Sequence, residues 1–337
     1  MMSILTRLAS LKLTLFGILG VIVLAVLSNK GPELSTGWLV LPLAFLSLNL
    51  LAAIGTNSAF RGQPALLVFH VCLLAVLLLL GIGLLIRFDG HVELVEGETF
   101  NPNVVQVTEQ GAWHASNLDS VSFEQGEIEV AYLPGLIRRS TRSVITEIRP
   151  DGDIRNVVIG DRVNTTVSGY RFISTFNKGL AVVVVWSDAY GNQRRGSINF
   201  PSYPEYEWKQ LNTWTTPGGE KVELELKLAI VAPRDEAWLL RSDSVPFAIE
   251  LRRDANPPRI LWPGDTMKLR DGMLRIENLR MWMGYRIDFY PLLSWVFTAA
   301  LFALVALYMH FQMKFWPARQ SAKAATFEGV KAYDGCD

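Results

Sequence analysis

Residues 60–100 read FRGQPALLVFHVCLLAVLLLLGIGLLIRFDGHVELVEGETF, and what this stretch becomes decides the fold. Its centre, Ala65 to Ile86, is 22 residues without a charged side chain. At about 1.5 Å rise per residue such a helix spans the roughly 30 Å hydrocarbon layer of a bilayer, so the stretch predicts a transmembrane helix. One ionisable group, His70, lies a turn and a half inside it. A titratable residue at membrane depth is costly, usually faces the interior of a bundle and carries function. Directly afterwards, in RFDGHVELVEGE, charge returns and apolar and polar residues begin to alternate. That change of period marks the start of a β-rich domain.

Three more apolar runs flank this one. Leu11 to Leu27 follows Arg7 and Lys12, the pattern of a secretory signal, but Val26-Leu27-Ser28 is a weak cleavage site and another apolar run comes next. The run is therefore expected to stay as a membrane anchor. Trp38 to Ile54 opens on an interfacial tryptophan, and Tyr290 to Phe315 has aromatic residues at both ends. Arg7, Lys12, Arg61, Lys314, Arg319, Lys323 and Lys331 all fall on one side if the N-terminus is inside, while the loop from Ser28 to Gly37 holds only Lys30. The positive-inside rule then places both termini in the cytoplasm and residues 88–289 in a periplasm or its equivalent. The expected layout is three helices (about 11–27, 38–54 and 65–86), a periplasmic domain over 88–289, a fourth helix over 290–316 and a short cytoplasmic tail without order over 317–337.

Half of the 337 residues are hydrophobic and the formal net charge is zero, so nothing electrostatic favours nucleic acid. Within residues 88–289 the period is two. Val222, Leu224, Leu226 and Leu228 alternate with charged residues, and Leu180 to Trp186 (LAVVVVW) reads as a strand buried on both faces. Asp188 to Asn192 turns that strand into Gln193–Phe200 as a hairpin. Further strands are expected at His91–Glu96, Glu127–Tyr132, Ser143–Arg149, Tyr170–Thr175, Pro246–Arg252 and Met273–Glu277, giving an all-β sandwich or open barrel with no long helix.

Motifs for self-contained chemistry are missing. Cys72 lies inside the third helix and Cys336 beside the C-terminus, with no C-x-x-C for thiol exchange and no C-x-x-C-H for covalent haem. The four histidines (70, 91, 114 and 310) have no zinc spacing, and there is no nucleophile elbow, phosphate loop or dinucleotide fingerprint. The chain reads as a scaffold or carrier, not an enzyme on its own. Depth offers one sharper idea. His70 and His310 each lie about five residues, roughly 8 Å, from the same membrane surface, and imidazoles on facing helices can hold a haem. Against this stand a structural hydrogen bond for His70 and a snorkelling position for His310. His91 and His114 read as surface residues.

The stretch FHVCLLAVLLLLGIGLLIRFDGHVELVEGE resembles the third-helix signature of the ResB (CcsB) family of cytochrome c biogenesis proteins: a histidine-bearing helix, a glycine-containing exit and a first strand ending in an E-G-E-like turn. Residues 8–28 (LASLKLTLFGILGVIVLAVLS) resemble its opening helix, and residues 143–175 (SVITEIRPDGDIRNVVIGDRVNTTVSGYRFIST) its outer-domain core. Two features depart from the family. The outer domain is shorter than in many members, and Asp288-Phe-Tyr-Pro stands where a D-P-G-like approach to the last helix is usual. The resemblance implies a haem-handling subunit of a System II cytochrome c synthase. Its partner would be a ResC/CcsA-type protein carrying the tryptophan-rich segment that none of the ten tryptophans here forms. It further implies that haem b moves outward to apocytochrome c, that a thioredoxin-like reductant assists, and that His70 is an axial haem ligand. The second ligand would be a histidine of the partner or, by depth, His310. Two other readings stay open: a b-type haem electron-transfer subunit of a respiratory complex, and a haem-free interaction scaffold.

Overall fold

A computed structural model describes residues 2–28, 35–115, 118–149, 152–229, 231–253 and 257–333, the last eighteen as backbone alone. Cys336 and the loop residue Lys30 lie outside the described residues. The chain divides into two compact units, Met1–Phe88 with Glu109–Ala115 and Tyr290–Asp337, and Asp89–Thr108 with Ser116–Phe289.

The first unit is helical: α1 (Met2–Leu8), α2 (Leu11–Ser28), α3 (Val40–Thr56, after a single 3-10 turn at Thr36–Leu39), α4 (Pro64–Ile86) and α5 (Leu293–Tyr333). Among the described residues, four stretches are long and apolar enough to cross a membrane: Leu11–Ser28, Thr36–Thr56, Pro64–Ile86 and Leu293–Phe315. The helix of the last stretch does not stop there but runs on to Tyr333, through most of the segment expected to be without order. Local chemistry sets the boundaries. Pro64 opens α4, where its missing N–H costs nothing, and the Asn57 side chain accepts from Ala59 N–H at 3.0 Å to start the turn between α3 and α4. Asn49, buried in the apolar α3, accepts from the Thr14 hydroxyl at 2.7 Å and donates to the Leu8 and Ser10 carbonyls. A polar side chain in such surroundings is stable only when so satisfied, and here it binds α3 to the α1–α2 turn. Gly17 lets α2 approach α3 closely, since an added Cβ would meet Leu46.

The second unit is all-β apart from 3-10 turns. In chain order its strands are β1 (Phe88–Val95), β2 (Gln106–Gln110), β3 (Phe123–Leu133), β4 (Ile137–Ile148), β5 (Ile154–Gly160), β6 (Thr165–Val167), β7 (Tyr170–Asp188), β8 (Gln193–Ser202), β9 (Leu211–Thr215), β10 (Lys221–Leu228), β11 (Trp238–Leu240), β12 (Phe247–Arg252), β13 (Arg259–Leu261), β14 (Thr266–Leu269) and β15 (Gly272–Phe289). Among the described residues they form three sheets, not the two of a sandwich. The largest runs β2-β1-β15-β7-β6, with β14 on β15 and β8 on β7, and the others run β13-β12-β10-β9 and β11-β3-β4-β5. Tyr170–Thr175 and Leu180–Trp186, expected as separate strands, belong to the single long β7, which pairs with β15 for most of its length. Leu180–Trp186 is buried throughout, and the Asp188–Asn192 hairpin joins β7 to β8 as expected. In β10, Val222, Leu224 and Leu226 are buried while Glu223, Glu225 and Lys227 form ion pairs with Arg252 or Glu250 on β12.

Candidate functional site

His70 is the seventh residue of α4. Its Nδ1 lies 2.8 Å from the Leu66 carbonyl one turn earlier. A carbonyl only accepts, so this contact puts the proton on Nδ1 and leaves the Nε2 lone pair available. Phe60 packs against the imidazole with ring centres 4.6 Å apart, and Phe69 meets it edge-on at 5.1 Å. The ring is half-buried and borders a cavity of about 430 Å³ inside the helical unit. Leu46 and Leu50 of α3, Ile18 of α2, and Leu73 and Leu77 of α4 give it apolar walls, and Thr14, Asn49 and Asn57 are its polar members. Asn49 is fully engaged in holding the helices, so His70 is the strongest electron-pair donor among the residues lining this space. None of this company was visible in the sequence, because its members lie on three helices and only the fold assembles them.

His310 is placed differently. It lies on α5 beside Phe311, ring centres 5.6 Å apart, and does not border the cavity at His70. No described residue of α5 lines that cavity. The structure therefore does not bring the two depth-matched histidines to a common space within this chain. Cys72 is a free, half-buried thiol in α4. Among the described residues, no group of three or more His, Cys, Asp or Glu side chains could hold a metal ion.

At the other end of α4 stands a polar assembly that sequence reading missed. The nearly buried Arg87 donates through Nη2 to Glu109 Oε2 and to the Thr36 hydroxyl, and Glu109 Oε1 accepts from Thr36 N–H at 3.0 Å. Trp113 N–H donates to the Leu85 carbonyl at 2.7 Å, Gly111 N–H to the Arg87 carbonyl at 2.9 Å, and His114 Nδ1 contacts the Ile86 carbonyl at 2.9 Å. Residues 109–115 thus satisfy the carbonyls that a helix C-terminus leaves unpaired. Gly111 makes the approach feasible, because any Cβ there would collide with the Leu85 carbonyl. His114, expected as a surface residue, is half-buried in this cap and stacks on Phe88. The signal was present only as an isolated arginine following an apolar helix.

The E-G-E turn is structural. Glu96 is buried, and its Oε1 accepts from Ile128 N–H at 2.8 Å. Its Oε2 accepts from the Ser242 hydroxyl at 2.7 Å and from Met281 N–H at 3.0 Å. A carboxylate with three donors, drawn from three separate segments, is a buried tie. Glu98 turns back to accept from Val95 N–H at 3.0 Å. Compared with known proteins, the sequence matches no protein-family model and no curated protein.

Proposed function

We propose that the chain is a haem-handling membrane subunit of a System II cytochrome c biogenesis complex. It sits in the bacterial cytoplasmic membrane with both termini cytoplasmic and the β domain in the periplasm. The observation that carries this reading is the His70 environment: an imidazole with Nδ1 tied to Leu66, Nε2 available, and an apolar cavity alongside. These residues fit a haem. Imidazole nitrogen is a good axial ligand for haem iron, the Leu66 contact fixes the ring's tautomer and orientation, and aliphatic walls exclude water. The cavity volume lies in the roughly 300–1,000 Å³ range of ligand pockets. When bound, haem b is cargo, passed outward for attachment to the thiols of apocytochrome c. His70 would hold its iron through Nε2, Phe60 would brace the imidazole, and Asn49 would keep α2 and α3 in register around the space.

A ResC/CcsA-like partner would supply the tryptophan-rich haem-handling surface and the second axial histidine, since His310 stands outside the cavity. A thioredoxin-like protein would keep the client thiols reduced. The test is a haem spectrum and a cytochrome c maturation assay on single variants co-expressed with the partner. His70→Ala should lose the low-spin spectrum and maturation together, with partial recovery on adding imidazole. His310→Ala should be nearly silent in both. A full low-spin spectrum and normal maturation in His70→Ala would overturn the ligand assignment and leave the interaction-scaffold reading.

A further inference from the structure

The β domain carries a second cavity, of about 610 Å³, bordered by the segment leading into β12, by the turn after β13 and by β15. Pro246, Phe247 and Leu279 form an apolar floor, and Trp262, more than half exposed, stands at the rim. Two polar features there are unsatisfied. Arg280 borders the cavity half-buried and has no carboxylate within ion-pair distance among the described residues. The other half-buried arginines of this domain are all paired: Arg138 with Asp161, Arg149 with Asp153, Arg171 with Asp288, Arg241 with Glu127 and Arg253 with Glu220. Asp243, the acidic residue bordering the cavity, faces Arg241 at 3.5 Å and so leaves Arg280 uncompensated. The second feature is Asn278, whose Oδ1 is buried without a hydrogen-bond partner among the described residues, at the irregularity that follows Ile276 in β15.

A guanidinium held partly out of water without a counter-ion, and a buried acceptor without a donor, both cost free energy that a suitable ligand would recover. Beside an aromatic rim and an apolar floor, the matching chemistry is specific. We propose that this cavity is a binding site for a small molecule that joins an apolar body to a carboxylate. The carboxylate pairs with Arg280, whose planar fork suits bidentate contact, and the apolar body packs against Trp262 and Phe247. Two sources have this chemistry: a tetrapyrrole bearing propionates and a fatty acid released from the membrane. The site stands without the haem reading of His70.

The test uses the full chain in neutral phosphatidylcholine nanodiscs, titrated with metal-free protoporphyrin IX, with its dimethyl ester and with dodecanoate. For the ligand of the site, Arg280→Gln should weaken carboxylate binding at least tenfold, and Trp262→Ala should weaken it as well. The dimethyl ester, which keeps the ring but not the charge, should bind more weakly and be indifferent to Arg280→Gln. A response confined to protoporphyrin identifies the tetrapyrrole, and one confined to dodecanoate identifies the fatty acid. His70→Ala should leave all these titrations unchanged, since a metal-free ring offers no iron, so failure here is distinct from failure at His70. Thermal melting confirms that the variants fold, and Arg280→Lys, which keeps the charge without the fork, is the substitute should Arg280→Gln melt early. If neither carboxylate responds to Arg280 or Trp262 variants, the proposal is overturned.

Discussion

The Tyr285 phenol is fully buried, yet all its polar capacity is used. Its hydroxyl donates to Gln125 Oε1 at 2.7 Å and meets Ser143 Oγ at 2.6 Å, while Gln125 Nε2 donates to the same Oγ at 2.7 Å. The three side chains close a ring in which each donor finds an acceptor. Tyr285→Phe would strand two buried polar atoms and should cost about 1–3 kcal/mol in denaturant unfolding of the β domain. A loss within error of zero would show that water replaces the phenol. Burial also raises the Tyr285, Tyr132 and Tyr203 pKa values above the ordinary tyrosine range, Tyr203 to about 12 with the Glu207 charge adding to burial. The sign follows from proton counting. Above pH 10 an unfolded tyrosine releases its proton while these folded ones keep theirs, so stability is full below pH 10 and falls as pH rises towards 12. Melting temperature should therefore drop between pH 10 and pH 12, and an unchanged value would refute the buried-phenol account. In sequence, His70 was conspicuous because it interrupts a charge-free run. Thr14 and Asn49, thirty-five positions apart, gave no sign of meeting beside it, and Arg280 looked like any strand arginine. Side chains announce themselves singly; their cavities depend on distant segments.

At the scale of elements, β7 is the test of the β core. Val184 is 4% exposed and sits between Gly196 of β8 and Ile276 of β15. Val184→Asp would bury an unpaired carboxylate among β-branched neighbours and should cost several kcal/mol. The β-domain transition should move to much lower temperature while the helical signal in circular dichroism persists. A parent-like melt would mean that this strand is not central. Strands with a clean alternation or an unbroken β-branched run were legible in the sequence, as β10 and the second half of β7 show. Short strands such as β2 (QVTEQ) and β9 (LNTWT) were not, because both lie at sheet edges where solvent takes one side and the pattern weakens. Tyr170–Thr175 and Leu180–Trp186 were expected as separate strands, yet Asn177, Lys178 and Gly179 between them do not interrupt β7. Lys178 is 1% exposed and pairs with Glu205 at 2.8 Å, so its charge is carried within the strand without reaching water. An ion pair with a partner 27 residues away is invisible to a local window.

For the molecule as a whole, the proposed orientation makes a direct prediction. Topology reporters fused at Gly62 and Ala318 should report cytoplasm, and one at Gly191 periplasm. A periplasmic signal at Gly62 would invert the arrangement. The four apolar runs were legible because a bilayer-length stretch without charge is unmistakable, whereas the division of the β domain into three sheets depends on pairings that no run of residues encodes. One of those pairings has a wider meaning. In the largest sheet β1 and β15 are neighbours, and Asp89 faces Arg286 while Glu96 N–H donates to the Met281 carbonyl, so the two strands run in opposite directions. The first residue of β1 follows α4 after a single intervening residue, and the last residue of β15 precedes α5 by three. The two ends of the β domain thus lie about one strand spacing, roughly 5 Å, apart, but the chain also returns to the helical unit between them, through residues 109–115. In modular terms it is an insert with a clasp: cutting it out would leave α4 and α5 packed together across a gap that costs little entropy to close, but would take Glu109 from the nearly buried Arg87 and Gly111 and Trp113 from the last carbonyls of α4. Any exchange of such a domain must therefore keep the 109–115 segment, or supply another partner for Arg87 and the end of α4.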